Sequence, residues 1–288
     1  MQVQELLKMY YHIDCSLDST GYFYVGGQLY YLSLVQEPKD FLNRYHYYRY
    51  LMHQCGMKGY EIVRNIYQEL FTQGYVLLLY QKDHFSLKQY IHQTMMIYRF
   101  PKLKVQQIKE QWICKIDQAR EKVKDYAYSF KHDQDIISLI YYYCGLGENS
   151  INILNYILQI DKQASLPVSL SLAQPFFEYV YELLNPCCYI FSTRMRHLSC
   201  LVSSQIITYV QLQNILETHY FDVYEIIYLY ARMLYPSYFF ECLLQGLLDE
   251  KKVAFFYQQM KQSQDMYAQM FRILSFYVTL PKISWINC

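Results

Sequence analysis

The order of apolar and polar positions divides the chain into a strand-rich start and a helix-rich remainder. YFYV (Tyr22–Val25) and QLYYLSLV (Gln28–Val35) flank Gly26-Gly27. A glycine pair tolerates the positive φ of a two-residue turn, so this stretch predicts a β-hairpin, with Pro38 expected to close it. A helix is predicted over Asp40–Gln54, with Asp40 as N-cap and Gly56 as stop. On it Phe41, Tyr45, Tyr48 and Met52 recur at three- and four-residue spacing along one face. EIVRNIYQELFTQ (Glu61–Gln73) and YVLLLYQ (Tyr75–Gln81) read as two further strands meeting at Gln73-Gly74.

From Lys82 the helical period takes over. LKQYIHQTM (Leu87–Met95) leads to Pro101. Val105, Ile108, Trp112, Ile116, Ala119, Val123 and Tyr126 then form an apolar stripe opposite Lys109, Glu110, Lys115, Asp117, Glu121 and Lys124. That pattern is an amphipathic surface helix. DIISLIYYYC (Asp135–Cys144) and SINILNYILQI (Ser150–Ile160) are apolar nearly all round and read as two buried helices. Gly145 or Gly147 is the expected stop between them. Ala164–Ser204 reads as short strands and turns. Helices resume over Thr208–Leu216 and Thr218–Leu234, break at Pro236, and continue over Ser237–Leu248 and Lys252–Tyr277. No repeat or low-complexity linker interrupts the pattern. The fold class is therefore α+β: a small sheet-containing lobe over residues 1–81 and a large helical lobe over residues 82–288.

Composition narrows the functions that this fold could serve. Net charge is +1 with mixed signs along the chain, which gives no electrostatic case for nucleic acid or an anionic membrane. No charge-free apolar run reaches membrane-spanning length. The first residues lack the basic start and apolar core of a signal peptide, so synthesis in the cytoplasm is expected. The nine cysteines include no Cys-x-x-Cys, and adjacent Cys187-Cys188 does not suit a routine bridge, so reduced thiols are expected. The 35 tyrosines against 16 phenylalanines have two readings. Tyrosine either replaces phenylalanine at half-buried positions or forms an oxidisable, cross-linkable surface; composition favours the first.

Candidate chemistry is sparse. No phosphate loop, dinucleotide fingerprint, His-Glu-x-x-His or nucleophile elbow occurs. His46 and His53 share a helix face at a spacing of seven, whereas paired metal ligands sit three or four apart. His219, Asp222 and Glu225 lie at helical spacing and read either as metal ligands or as a solvated face. The turn-rich Ala164–Ser204 stretch is where a fold of this class places its site. Its basic side chains are Arg194, Arg196 and His197, which could contact a phosphate or else serve as caps and surface pairs. Its acids are Glu178 and Glu182, and no aspartate stands between Asp161 and Asp222.

Five segments carry a family resemblance: FLNRYHYYRYLMHQCG (Phe41–Gly56), ELFTQGYVLLLY (Glu69–Tyr80), YYYCGLGENSINIL (Tyr141–Leu154), ELLNPCCYIF (Glu182–Phe191) and YARMLYPSYFFE (Tyr230–Glu241). With the order of elements, they make the chain similar to the aminoglycoside phosphotransferase and choline kinase branch of the protein-kinase-like fold. More narrowly, it resembles the spore-coat kinase-like proteins of endospore-forming bacteria, the CotS/YutH group. The resemblance implies a two-lobed kinase-like fold in which Tyr30–Val35 should carry a phosphate-holding lysine and Asp40–Gln54 its glutamate partner. Neither residue is there. Ser16–Gly21 offers a single glycine for the lid. Pro167–Phe177, at the expected catalytic loop, has no His, Asp or Asn, and Tyr189–Thr193, at the expected metal aspartate, has no acid. Taken with these absences, the resemblance implies a pseudokinase of the spore coat without catalytic residue, cofactor or metal. It would act in coat assembly or structure through contacts with other spore-coat proteins, with exposed tyrosines open to oxidative cross-linking. The alternative is a small-molecule phosphotransferase or nucleotide-binding protein with a non-standard site that uses Glu178.

Overall fold

The computed structural model describes residues 3–17, 20–97, 99–127, 134–173 and 179–284. The chain is mixed α+β: an N-terminal antiparallel four-stranded sheet with helices, then a largely helical part with a small three-stranded sheet. It forms two compact units. One holds the described residues of 1–98, 169–173 and 177–191, the other those of 99–168 and 192–288.

The first unit begins with α1 (Val3–Tyr11), a helix of only nine residues that the periodicity does not announce. The hairpin forms as expected from β1 (Tyr22–Val25) and β2 (Gln28–Leu34), with Gly26 and Gly27 both at positive φ. Pro38 does not merely close it. It occupies the first turn of α2 (Pro38–Gln54), where its fixed φ suits the helix and its missing N–H costs nothing. Asp40 is therefore inside the first turn, where it accepts from Arg44 Nε at 3.1 Å, rather than at the N-cap. Phe41, Tyr48 and Met52 are buried along the expected face.

The expected long strand after α2 is short: β3 is Gly59–Val63, and β4 is Tyr75–Gln81. Buried Asn65 diverts the chain between them. Its Oδ1 accepts from the Tyr67 and Glu69 amides, both at 2.9 Å, and its Nδ2 donates to Glu69 Oε2 and Thr72 Oγ1, both at 3.0 Å. A side chain that satisfies the backbone of a turn competes directly with the ladder. The strand order is β1-β2-β4-β3, antiparallel throughout. Register places Phe23, Leu32 and Leu77 on one face, where they cluster with Leu7 of α1. Tyr22, Tyr31, Leu78, Tyr80 and Tyr60 share the other. Helix α3 (Leu87–Met96) follows, capped by the Ser86 hydroxyl.

Next comes β5 (Arg99–Lys104), with Pro101 inside it. Its pairing with β6 (Ser165–Leu172) shifts register between Arg99 and Leu103, and β5 is the edge of a sheet ordered β5-β6-β7, where proline is tolerated. Helix α4 (Val105–Ala127) buries Val105, Ile108, Trp112, Ile116 and Ala119. The expected break at Gly145 or Gly147 is absent: α5 is one helix of 27 residues, Gln134–Ile160. A Cβ on Gly147 would lie 2.7 Å from Ile116 Cδ1, so this glycine lets α4 and α5 approach closely instead of stopping a helix. The remaining elements are α6 (Val180–Leu183), a 3-10 turn at Pro186–Cys188, β7 (Tyr189–Thr193), α7 (Arg194–Ser203), α8 (Tyr209–Thr218), α9 (Val223–Leu234), α10 (Ser237–Leu244) and α11 (Glu250–Ser275). The Ala164–Ser204 stretch is thus less turn-like than its composition suggests, and Arg194 and Arg196 open a helix rather than a loop. No described helix is long and apolar enough to cross a membrane.

Candidate functional site

The expected site region divides between the two units. In the first, residues 179–191 pack through aromatic rings. Tyr181 meets Tyr22 at 5.2 Å and Tyr80 at 6.4 Å, while Tyr189 meets Tyr48 at 5.8 Å. Asn185 Nδ2 donates to the Tyr22 hydroxyl at 2.8 Å, and buried Tyr189 donates to the Leu183 carbonyl at 3.0 Å. The tyrosine face of the sheet is therefore covered by tyrosines of the returning chain. Burial raises the Tyr22 and Tyr60 phenols well above their ordinary value and pushes Tyr31 up to about 12. It also pushes the Cys187 and Cys188 thiols up to about 11 and 12, so neither offers a thiolate at neutral pH. Glu182 accepts from the Tyr179 amide at 3.2 Å and acts as a cap of α6. Glu178, the rest of residues 174–178, and the side chains of Tyr126 and Asp135 lie outside what is described. The eight cysteines among the described residues are free thiols.

In the second unit, the three basic side chains expected near a phosphate part company. Arg194 is locked. Its Nε donates to Glu225 Oε1 at 2.6 Å and its Nη2 to Glu225 Oε2 at 2.7 Å and to the Tyr220 carbonyl at 3.0 Å. Its guanidinium carbon also stands 4.6 Å from the centre of the Phe221 ring. Arginine's planar fork suits this bidentate grip. His197 is fully buried, and burial lowers its pKa to about 3, so it is a neutral interior group. Arg196 is half-buried, its pKa lowered to about 10 by burial and by nearby Arg232. Thr193, where the resemblance puts a metal aspartate, caps α7 by accepting from the Arg196 amide at 3.2 Å.

A second basic group, which the sequence does not single out, gathers around Arg232. Arg232 of α9 is only 5 % exposed, yet among the described residues no carboxylate lies within ion-pair distance of it. Among the described residues it makes one hydrogen bond, Nη2 to Ser237 Oγ at 3.0 Å, out of five possible donors. The Trp112 and Tyr235 rings lie 5.9 and 5.7 Å from its guanidinium carbon and stack on one another at 4.0 Å. Burying an unpaired cation costs several kcal/mol. Ring faces return about 0.5–2 kcal/mol, and the C-terminal end of α9 about 0.3–1 kcal/mol, so the guanidinium remains under-compensated. Lys115 and Arg196 both feel Arg232 electrostatically, with Glu241 as the opposing carboxylate. Burial and these cations lower the Lys115 pKa. Beside Arg232 lies a cavity of about 100 Å³, lined also by Tyr235, Ser237, Ser203, Tyr143 and Phe256. Among the described residues, the buried Tyr235 hydroxyl has no hydrogen-bond partner.

The helical period places Lys115 on the solvated face of α4, but one turn after Trp112 it sits at the edge of the buried stripe and is half-buried. The one sequence signal for Arg232 is a lone arginine in the otherwise apolar run EIIYLYARML.

The His219, Asp222 and Glu225 constellation does not form on one helix. His219 ends α8, Asp222 caps α9 by accepting from the Tyr224 amide at 2.8 Å, and Glu225 is 1 % exposed against Arg194. Neither reading, metal site or solvated face, describes these residues. His46 and His53 are exposed on α2. Among the described residues, no group of three or more His, Cys, Asp or Glu side chains could hold a metal. No protein-family model matches the chain, and no curated protein matches it.

Proposed function

We propose that the chain is a kinase-like protein without phosphotransfer chemistry that serves the bacterial spore coat by binding other coat proteins. The observation that carries the reading is the absence of any aspartate between Asp161 and Asp222, across the whole stretch where the resemblance puts a base and a metal ligand. Phosphoryl transfer rests on positioning and on metal-borne charge neutralisation, so losing both acids removes the reaction. The order of hairpin, helix and two strands in the first unit supports the kinase-like part. The loss of chemistry is supported by β2 without lysine and α2 without glutamate. The residues present do not fit a magnesium nucleotide: Thr193 is a helix cap, and the sheet face nearest the return segment is filled by tyrosine rings. The contact surface in this reading is the exposed aromatic set, with Tyr220 87 %, Tyr24 67 % and Tyr67 67 % exposed. Tyrosine rings favour protein interfaces because they bury area at low entropic cost.

Thermal melting with magnesium-ATP, against inorganic phosphate as the anion control, tests the loss of chemistry. No shift specific to the nucleotide is expected. Stabilisation approaching about 2.7 kcal/mol, as a site at a hundredfold excess over its Kd would give, overturns the reading. Fractionation of spores tests the location: the chain should co-extract with coat proteins, and recovery only in the cytosol sinks the assignment. Oxidative coupling of the exposed tyrosines is checked by dityrosine mapping of coat peptides, which should report Tyr24, Tyr67 or Tyr220 and spare buried Tyr48 and Tyr189.

A further inference from the structure

We propose that the second unit binds a small phosphate-type oxyanion at Arg232, with Arg196 and Lys115 supplying further positive charge and Tyr235 lining the pocket. The carrying observation is a guanidinium almost wholly removed from solvent that has one hydrogen bond and no ion-pair partner among the described residues. Buried cations in folded proteins are paired or hold a ligand, because neither ring faces nor one hydroxyl satisfies the planar fork. The cavity adjoins Arg232. Arg232, Ser237 and Tyr235 all line it, the Tyr235 hydroxyl has no partner among the described residues, and a phenol and a serine can both donate to an oxyanion.

The charge near Arg232 points the same way. Lys115 of α4 and Arg196 of α7 do not line the cavity but feel Arg232 of α9 electrostatically, with Glu241 of α10 as the carboxylate that both also feel. Positive charge beside Arg232 favours an anion as the ligand. The cavity, about 100 Å³, has room for one tetrahedral oxyanion beside Arg232. The site is independent of the kinase-like reading. A chain that ignores magnesium-ATP and responds to phosphate supports both, and one that ignores phosphate fails this proposal alone.

The experiment is a titration of the full chain with inorganic phosphate at constant ionic strength, read by melting temperature and by phosphorus NMR line width. A saturable rise in melting temperature and line broadening are expected. Arg232→Met should weaken phosphate binding roughly 30-fold or more, as loss of a buried charged partner does. Tyr235→Phe should weaken it about tenfold, the scale of one hydrogen bond to a charged group. Lys8→Gln, an exposed control in the first unit, should change nothing. Glycerol phosphate in a parallel arm distinguishes the source: a matching response assigns a phosphate ester, and a response to inorganic phosphate alone assigns the free ion. Wild-type protein that responds to phosphate no more than to chloride overturns the proposal, as does an Arg232→Met variant that keeps the full response. Should Arg232→Met fail to fold, the wild-type line width and Tyr235→Phe decide, and unchanged affinity in the latter removes the assigned pocket.

Discussion

Two arginines buried in the same helical unit are treated in opposite ways. Arg194 opens α7 at 7 % exposure and meets a complete set of acceptors: both oxygens of Glu225, the Tyr220 carbonyl and the face of Phe221. Arg232 ends α9 at 5 % exposure and meets one serine hydroxyl, two ring faces and a cavity. The first arrangement is closed and has no capacity for a ligand. The second is open, and its incompleteness separates a candidate binding group from a structural one. Burial alone would have ranked the two together.

The largest effect should come from breaking the closed site. Glu225→Gln leaves Arg194 buried without its counter-charge and should cost about 3–5 kcal/mol, read as a fall in the urea midpoint at constant m-value. Glu225 also closes the capping box of α9, its Oε2 accepting from the Asp222 amide at 3.1 Å, so two roles fail together. A loss below about 1 kcal/mol would mean that the pair is far better hydrated than its geometry indicates, and the contrast with Arg232 would collapse.

His197, also on α7, shows a third treatment of a buried basic group: it stays neutral. Its folded pKa is about 3, below the ordinary value of 6.5, so the unfolded chain binds the extra proton first as pH falls. The stability this contributes is fully present above pH 6.5 and is lost on acidification towards pH 3. The slope should approach about 1.4 kcal/mol per pH unit within that window. Chemical denaturation at a series of pH values should show this slope in the wild type and a shallower one in His197→Leu. Equal slopes would mean that the imidazole is reached by water.

Arg232→Met should be far milder than Glu225→Gln when no oxyanion is present, within about 1 kcal/mol of wild type, because an apolar side chain replaces an under-compensated charge. Measured in chloride, a loss of several kcal/mol would show that Arg232 is structurally satisfied after all. Gain of stability in chloride together with loss of the phosphate response would sharpen the contrast most.

The sequence carried the alternation and helical period well, so the hairpin, α2, α4, α8 and the last helices stand close to where their patterns place them. It failed where one side chain overrules a pattern. Asn65 turns an apparent strand into a loop through four hydrogen bonds, and Gly147 serves helix approach rather than helix ending. Composition alone located the stretch without aspartate, Lys162–Phe221, since an absent residue type needs no coordinates. It could not sort Arg194 from Arg196, because the carboxylate that captures one of them lies 31 residues away. Nor could it find the coupling of Arg232 to Lys115, which lie on different helices, α9 and α4.

The smallest effect uses two phenols that line the same cavity. Tyr143 donates to the Phe256 carbonyl at 2.9 Å, while the buried Tyr235 hydroxyl has no partner among the described residues. Removing a satisfied hydrogen bond costs about 0.5–1.5 kcal/mol, whereas removing an unsatisfied buried hydroxyl relieves a desolvation penalty. Tyr143→Phe should therefore destabilise the chain by about 1 kcal/mol. Tyr235→Phe, which keeps the ring stacked on Trp112, should leave stability unchanged or raise it slightly in chloride. In phosphate the order should widen, because only the wild type and Tyr143→Phe retain the Tyr235 donor. If instead Tyr235→Phe costs as much as Tyr143→Phe in chloride, the cavity already holds water bound to that hydroxyl. The open site would then be a hydrated one whose guanidinium needs no anion.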